Sequence, residues 1–264
     1  MNVSTGKQIL DPQLRRIADT LIAFWLIGWC IKADFFVPYI FDEIVRYPIM
    51  IDFFPLFLRD PLIAQFFYVL PLFAFIVILK PTPFYYGFAS TAMVVSSAVL
   101  LLHQDTHNDA TFVTSFWTAL WLCWYIFAMK RNIPDLLVHA RALALCVIAF
   151  VFWGGFIGKL TPEFWNGIVL GDIFMRQNFG WIGEWVRAHY TEEVIRMSFV
   201  WISKFVVLSE GVLAFAPLWP FGFVFAFGIV FMCGLSLFTT WRIFSVILCL
   251  IGLLCACRQM AVKK

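Results

Sequence analysis

The sequence predicts an all-α protein, a polytopic transmembrane bundle of about eight helices with interfacial helices in two long outer connections. Three observations carry this. Hydrophobic residues fill 62% of the 264 positions and charged residues only 13%, whereas a soluble domain needs about a quarter of its residues charged to hydrate its surface. The apolar residues gather in runs of about 18 or more, the length at which a helix crosses a bilayer core. Phe is abundant, which suits lipid-facing and inter-helix packing, and Trp and Tyr are the residues that favour the headgroup layers.

The chain opens on a polar stretch, MNVSTGKQILDPQLRRIADT. It lacks the apolar core and small-residue cleavage site of a signal peptide, so the first helix is expected to stay in the mature protein. Eight spans follow, at about 17–37, 61–80, 83–103, 112–130, 140–159, 198–217, 220–238 and 241–258, in a single integral membrane domain over 1–264. Prolines mark the edges: Pro61, Pro81 with Pro83, Pro134, Pro162, and Pro217 with Pro220. The last two spans are divided only by very short connections.

Basic residues set the expected orientation. With the N-terminus in the cytoplasm, ten of the nineteen Lys and Arg lie inside and seven outside, while Lys32 and Lys204 fall within or at the edge of spans. The outer seven sit mostly in long connections, where the bias counts less. Both termini are therefore expected to be cytoplasmic. The two long outer connections, residues 39–60 and Thr161–Met197, are unusually apolar for loops. Short helices and re-entrant turns along the membrane surface would explain that, forming a lid over the outer end of the bundle. In the second connection Ile182, Trp185, Val186, Tyr190 and Val194 share one helical side, opposite Glu184, Arg187 and Thr191, with Glu193 interrupting the apolar side.

A formal charge of +3, dispersed along the chain, argues against nucleic acid as a partner. The seven cysteines form no CxxC pair and read as small buried hydrophobes.

Three features could carry chemistry. The first is the polar segment between the third and fourth spans, with His103, Asp105, His107, Asn108 and Asp109. Imidazole and carboxylate together suit zinc, iron or copper. A turn that must also cap the next helix needs the same residue types; that reading leads, with proton handling or substrate contact second, and no metal is expected.

The second is Lys159, which follows Gly154, Gly155 and Gly158 and precedes Trp165. Glycines three and four apart admit a close neighbouring helix. The lysine either snorkels to the headgroups or, desolvated beneath the lid, becomes a usable general base. The third is Lys204 and Glu210 in the sixth span. Glu210 lies about 18 Å along the helix from Ser198, near mid-membrane. A charge there costs on the order of 2.5–3.5 kcal/mol and marks a functional site by default. Six residues apart, the two do not face each other on one helix, so each needs a partner elsewhere. Lys32 and Asp34, at the outer end of the first span, read as interfacial anchors.

The stretch Gly154–Gly167, with its Lys-Leu and following Trp, resembles the HTTM membrane superfamily, which includes the vitamin K-dependent gamma-glutamyl carboxylases. His107, Asn108, Phe112, Phe116 and the later Ser209-Glu210 extend the resemblance over roughly residues 90–220. It implies that Lys159 is the base of a quinone-type chemistry, assisted by His107. The family places Asn before His, whereas here Asn108 follows, and the large lumenal domain that engages protein substrates in the carboxylases is not found in this sequence. Gamma-carboxylation of proteins is therefore not expected. Smaller DoxX-like quinone-associated proteins border on the same motif.

Three functions are compatible with these residues. The leading one is an HTTM-like accessory or structural subunit of a larger membrane complex, in contact with membrane lipids and other membrane subunits. The second is a membrane-embedded enzyme acting on a quinone or other lipid-soluble substrate. It would use Lys159 as base, His107 and Glu210 as catalytic partners, and His103, Asp105, Asn108, Trp165 and Lys204 as binding residues. The third is a proton-coupled transporter. A quinone or bound lipids are the cofactors this admits, and a bacterial inner membrane is the expected location.

Overall fold

The computed structural model describes residues 11–33, 60–101, 110–176, 180–238 and 241–261. Among the described residues the regular elements are all helical, and five helices are long and apolar enough to cross a membrane. Several apolar helices of this kind fit an integral membrane protein. The chain divides into two compact units. One comprises Met1–Ala144 with Ser245–Lys264, the other Leu145–Phe244.

In the first unit, α1 (Pro12–Ile31) starts where Asp11 accepts a hydrogen bond from the Gln13 amide at 2.8 Å, with proline in the first turn. Ile17, Leu21, Trp25 and Trp29 recur at helical spacing and are buried. α2 (Pro61–Val69) starts the same way on Asp60. At Pro71 the winding changes to a 3-10 helix, Leu70–Phe75, before α3 (Ile76–Leu79). Proline has no N–H to give and its ring crowds the preceding turn. The tighter winding rises about 2.0 Å per residue against 1.5 Å, so residues 61–79 reach about 31 Å, close to a bilayer core.

α4 (Pro83–Leu101) and α5 (Ala110–Lys130) share the most extensive helix contact in this unit. Small hydroxyl residues are buried on both, including Ser90, Ser97, Thr114 and Thr118. Three of these hydroxyls bond a carbonyl of the preceding turn, Ser90 to Gly87 at 3.1 Å, Ser97 to Met93 at 2.6 Å and Thr118 to Thr114 at 2.7 Å, so these small polar side chains let the backbones come close. The turn after α5 uses Asn132 and Asp135 at positive φ, the residue types that tolerate it. α6 (Leu136–Gly158) then carries the chain into the second unit. Its first turns are tied to α5 by Trp121, whose indole donates to the Ala140 carbonyl at 2.9 Å.

The second unit begins with the C-terminal part of α6 and continues through α7 (Pro162–Trp165), α8 (Ile168–Arg176) and α9 (Gly180–His189). The connection Thr161–Met197 is thus a series of short helices. They pack on α10 (Glu192–Ala214) around Phe174, Ile195 and Phe199. α10 starts ahead of the apolar run that begins near Ser198. Thr191 caps it by accepting from the Val194 amide, and Glu192 and Glu193 suit the positive end of the helix dipole. Arg196 joins Asp172 at 3.0 Å and Glu192 at 2.8 Å in an exposed network that fastens α8 to α10. A 3-10 turn, Ala216–Leu218, leads to α11 (Phe221–Phe238). Finally α12 (Trp241–Ala261) returns to the first unit, where Gln259 donates to Thr20 of α1 at 2.8 Å.

Candidate functional site

α6 ends at Gly158, and the next residue turns its side chain toward α10. The Lys159 ammonium donates to both carboxylate oxygens of Glu210, each at 2.8 Å. Its third contact is the Gly155 carbonyl at 3.4 Å. An ammonium has three hydrogens, so these three acceptors use all of them. The Phe164 ring lies 5.7 Å away and covers one side. Glu210 is 9% exposed and Lys159 27%. The lysine therefore does not snorkel; it is turned in on the partner that Glu210 requires.

Gly155 makes room for this pair. A Cβ there would meet the Glu210 carboxylate at 3.0–3.3 Å, whereas at Gly154 or Gly158 it would meet nothing within 4 Å. Of the three glycines, Gly155 is the one that admits a neighbour. Farther along, the turn between α7 and α8 presses Gly167 against the backbone of Phe199 and Val200. This contact holds the segment after Lys159 along α10.

The other site residues divide clearly. Trp165 and Lys204 are brought together: the Lys204 ammonium lies 5.9 Å from the Trp165 ring and 5.1 Å from that of Trp201. Lys204 does not join Glu210, as their spacing predicts. His103, Asp105, His107 and Asn108 lie outside the described residues, as do Asp34 and residues 39–59 of the first long connection.

No protein-family model, curated protein or solved structure matches the chain.

One cation that the sequence reads as an interfacial anchor is buried instead. Lys32, expected at the interface, is only 4% exposed. Its ammonium donates to Ser115 Oγ at 2.6 Å and lies 4.4 Å from the Phe112 ring and 4.9 Å from that of Trp29. Trp29 stacks on Trp25 with centroids 4.6 Å apart and exchanges hydrogen bonds with Tyr68: its indole donates to the Tyr68 carbonyl at 2.8 Å, and the Tyr68 hydroxyl donates back at 3.2 Å. The correction has a physical cause. Aromatic faces attract a desolvated cation, and of these rings Phe112, like Ser115, comes from a segment distant in sequence. Ser115→Ala is expected to cost about 1.5–3 kcal/mol by removing a hydrogen bond to a charged group. A lowered unfolding midpoint in detergent, followed by circular dichroism, would register it.

Proposed function

We propose that this chain is a multi-pass membrane protein serving as an accessory subunit of a larger membrane assembly. The observation behind this is the closed Lys159–Glu210 pair. The group best suited to act as a base spends its hydrogens on a neighbouring carboxylate, which suits a structural fastening of α6 to α10. Broad apolar faces on several helices, with exposed Trp201, Phe205, Phe150 and Val230 among them, offer surface to lipid and to other subunits alike. The same reading takes eight crossings with both termini cytoplasmic. The 31 Å reach of residues 61–79 and the 18-residue α11, about 27 Å long, support crossings beyond the five.

Extraction from native membranes in mild detergent tests the proposal. The chain, 30.5 kDa by itself, is expected to travel with other polypeptides in fixed ratio. Migration as a lone chain under several mild detergents counts against it.

A second reading is favoured by the placement of the pair. A helix that ends beside a buried carboxylate is an arrangement transporters use for ions, and the HTTM resemblance would make Lys159 the base for a quinone-type substrate once Glu210 releases it. Under the enzyme version both Lys159→Ala and Lys159→Arg abolish activity. Under the transport version Glu210→Gln abolishes coupling while the Lys159 changes are tolerated.

A further inference from the structure

α10 carries the information that fixes depth. Its first turns hold Glu192 and Arg196, which join Asp172 of α8 in an exposed charged network. Beyond Arg196 its outward face turns apolar, through Met197, Trp201, Phe205 and Leu208, spaced at three and four. The apolar face continues to Leu218 and closes at the exposed Trp219. Trp201 lies about 7.5 Å beyond Arg196 along the helix, whereas Trp219, past the end of α10, folds back so that its indole donates to the Val212 carbonyl at 3.1 Å. An exposed Trp about one turn beyond a charged network is the pattern of a headgroup layer, here the upper one.

Lys204 lies one turn inside the upper layer. Helical side chains lean toward the N-terminus, which here is the aqueous end, and the ammonium comes to rest over Trp201, with Trp165 on another side. Among the described residues no acceptor bonds this ammonium. It is a cation at headgroup level between two indole rings, with an apolar track running below it.

We propose that Lys204, Trp165 and Trp201 hold the phosphodiester of a membrane phospholipid whose acyl chains lie along Phe205 and Leu208. The inference rests on the membrane reading and not on the subunit assignment. A carboxylate on a partner helix would answer the same charge, but it would itself have to be desolvated at that depth. The phosphate layer supplies an anion there in every leaflet.

The experiment uses the whole chain in mild detergent, washed until bulk lipid is gone. Phosphorus analysis and native mass spectrometry are expected to find about one phospholipid retained per chain. Lys204→Gln should lower its occupancy about fivefold, the worth of one lysine at an anionic surface, and Lys204→Arg should retain it. Unchanged occupancy in Lys204→Gln overturns the proposal. So does a polypeptide lost from that variant while lipid content stays constant, which would put an acidic partner helix in its place.

A readout without variants protects the test against misfolding. A short-chain phospholipid should raise the unfolding midpoint of the wild-type protein, while diacylglycerol of the same chains and inorganic phosphate should not. Equal effects from either control sink the site. A chain that stays in solution without detergent would instead bring down the membrane reading itself, so the two failures are distinguishable.

Discussion

Gly167→Ala is expected to destabilise the second unit by about 2–5 kcal/mol, reaching the upper end of what one substitution does. Two costs combine. Gly167 has φ +76, a conformation that an L side chain adopts at about 1–2 kcal/mol. The added Cβ would also lie 2.5 Å from the Val200 nitrogen and 2.6 Å from the Phe199 carbonyl carbon. Both are backbone atoms of α10 and cannot swing aside, unlike the tip of a side chain, so overpacking adds its own penalty of about 1–3 kcal/mol. The measurement is the unfolding midpoint in detergent, with limited proteolysis to find where the chain opens. Cleavage is expected first between Thr161 and Met197. A midpoint equal to wild type would show that the turn is not held against α10 as described.

Lys159→Met alone is expected to cost on the order of 3 kcal/mol, because it abandons the buried Glu210 carboxylate. The double change Lys159→Met with Glu210→Met should recover most of that loss, since apolar side chains of similar volume often replace a buried pair at little cost. A double-mutant cycle isolates the coupling. Large coupling with full biological activity in the double variant supports a fastening. Recovered stability with lost activity would move the pair from architecture to chemistry and favour the enzyme or the transporter.

The sequence made the apolar helices legible because so few of its residues can be hydrated, and runs of that length have few alternatives to helix. Less visible was what happens inside and at the ends of the runs. Pro71 sits within an apolar stretch that reads as one span, and the change to 3-10 winding depends on how the neighbouring turns absorb its missing N–H. The start of α10 at Glu192 is set by Thr191 and by two acids that belong to a polar stretch, so hydrophobicity alone places it too late.

Site residues follow the same logic. Glu210 announced a need for a partner, because a charge at such a place is costly, whereas Lys159 could equally have snorkelled, and their separation of 51 residues left the pairing to the packing. Lys32 announced nothing. A lysine closing an apolar run beside an aspartate is what an anchor looks like, and while Trp29 lies three positions away, Phe112 and Ser115 lie some 80 positions away.

The stacked Trp25 and Trp29 have a consequence for observation. Both indoles are fully buried and nearly parallel, at 13°, while Trp185, Trp201 and Trp219 of the other unit are exposed. Brominated acyl chains should quench the emission of those outward rings and leave the inner two bright. The molecule thus carries two optical populations, one reporting on its solvent of lipid and one on the integrity of its own interior, with no label attached.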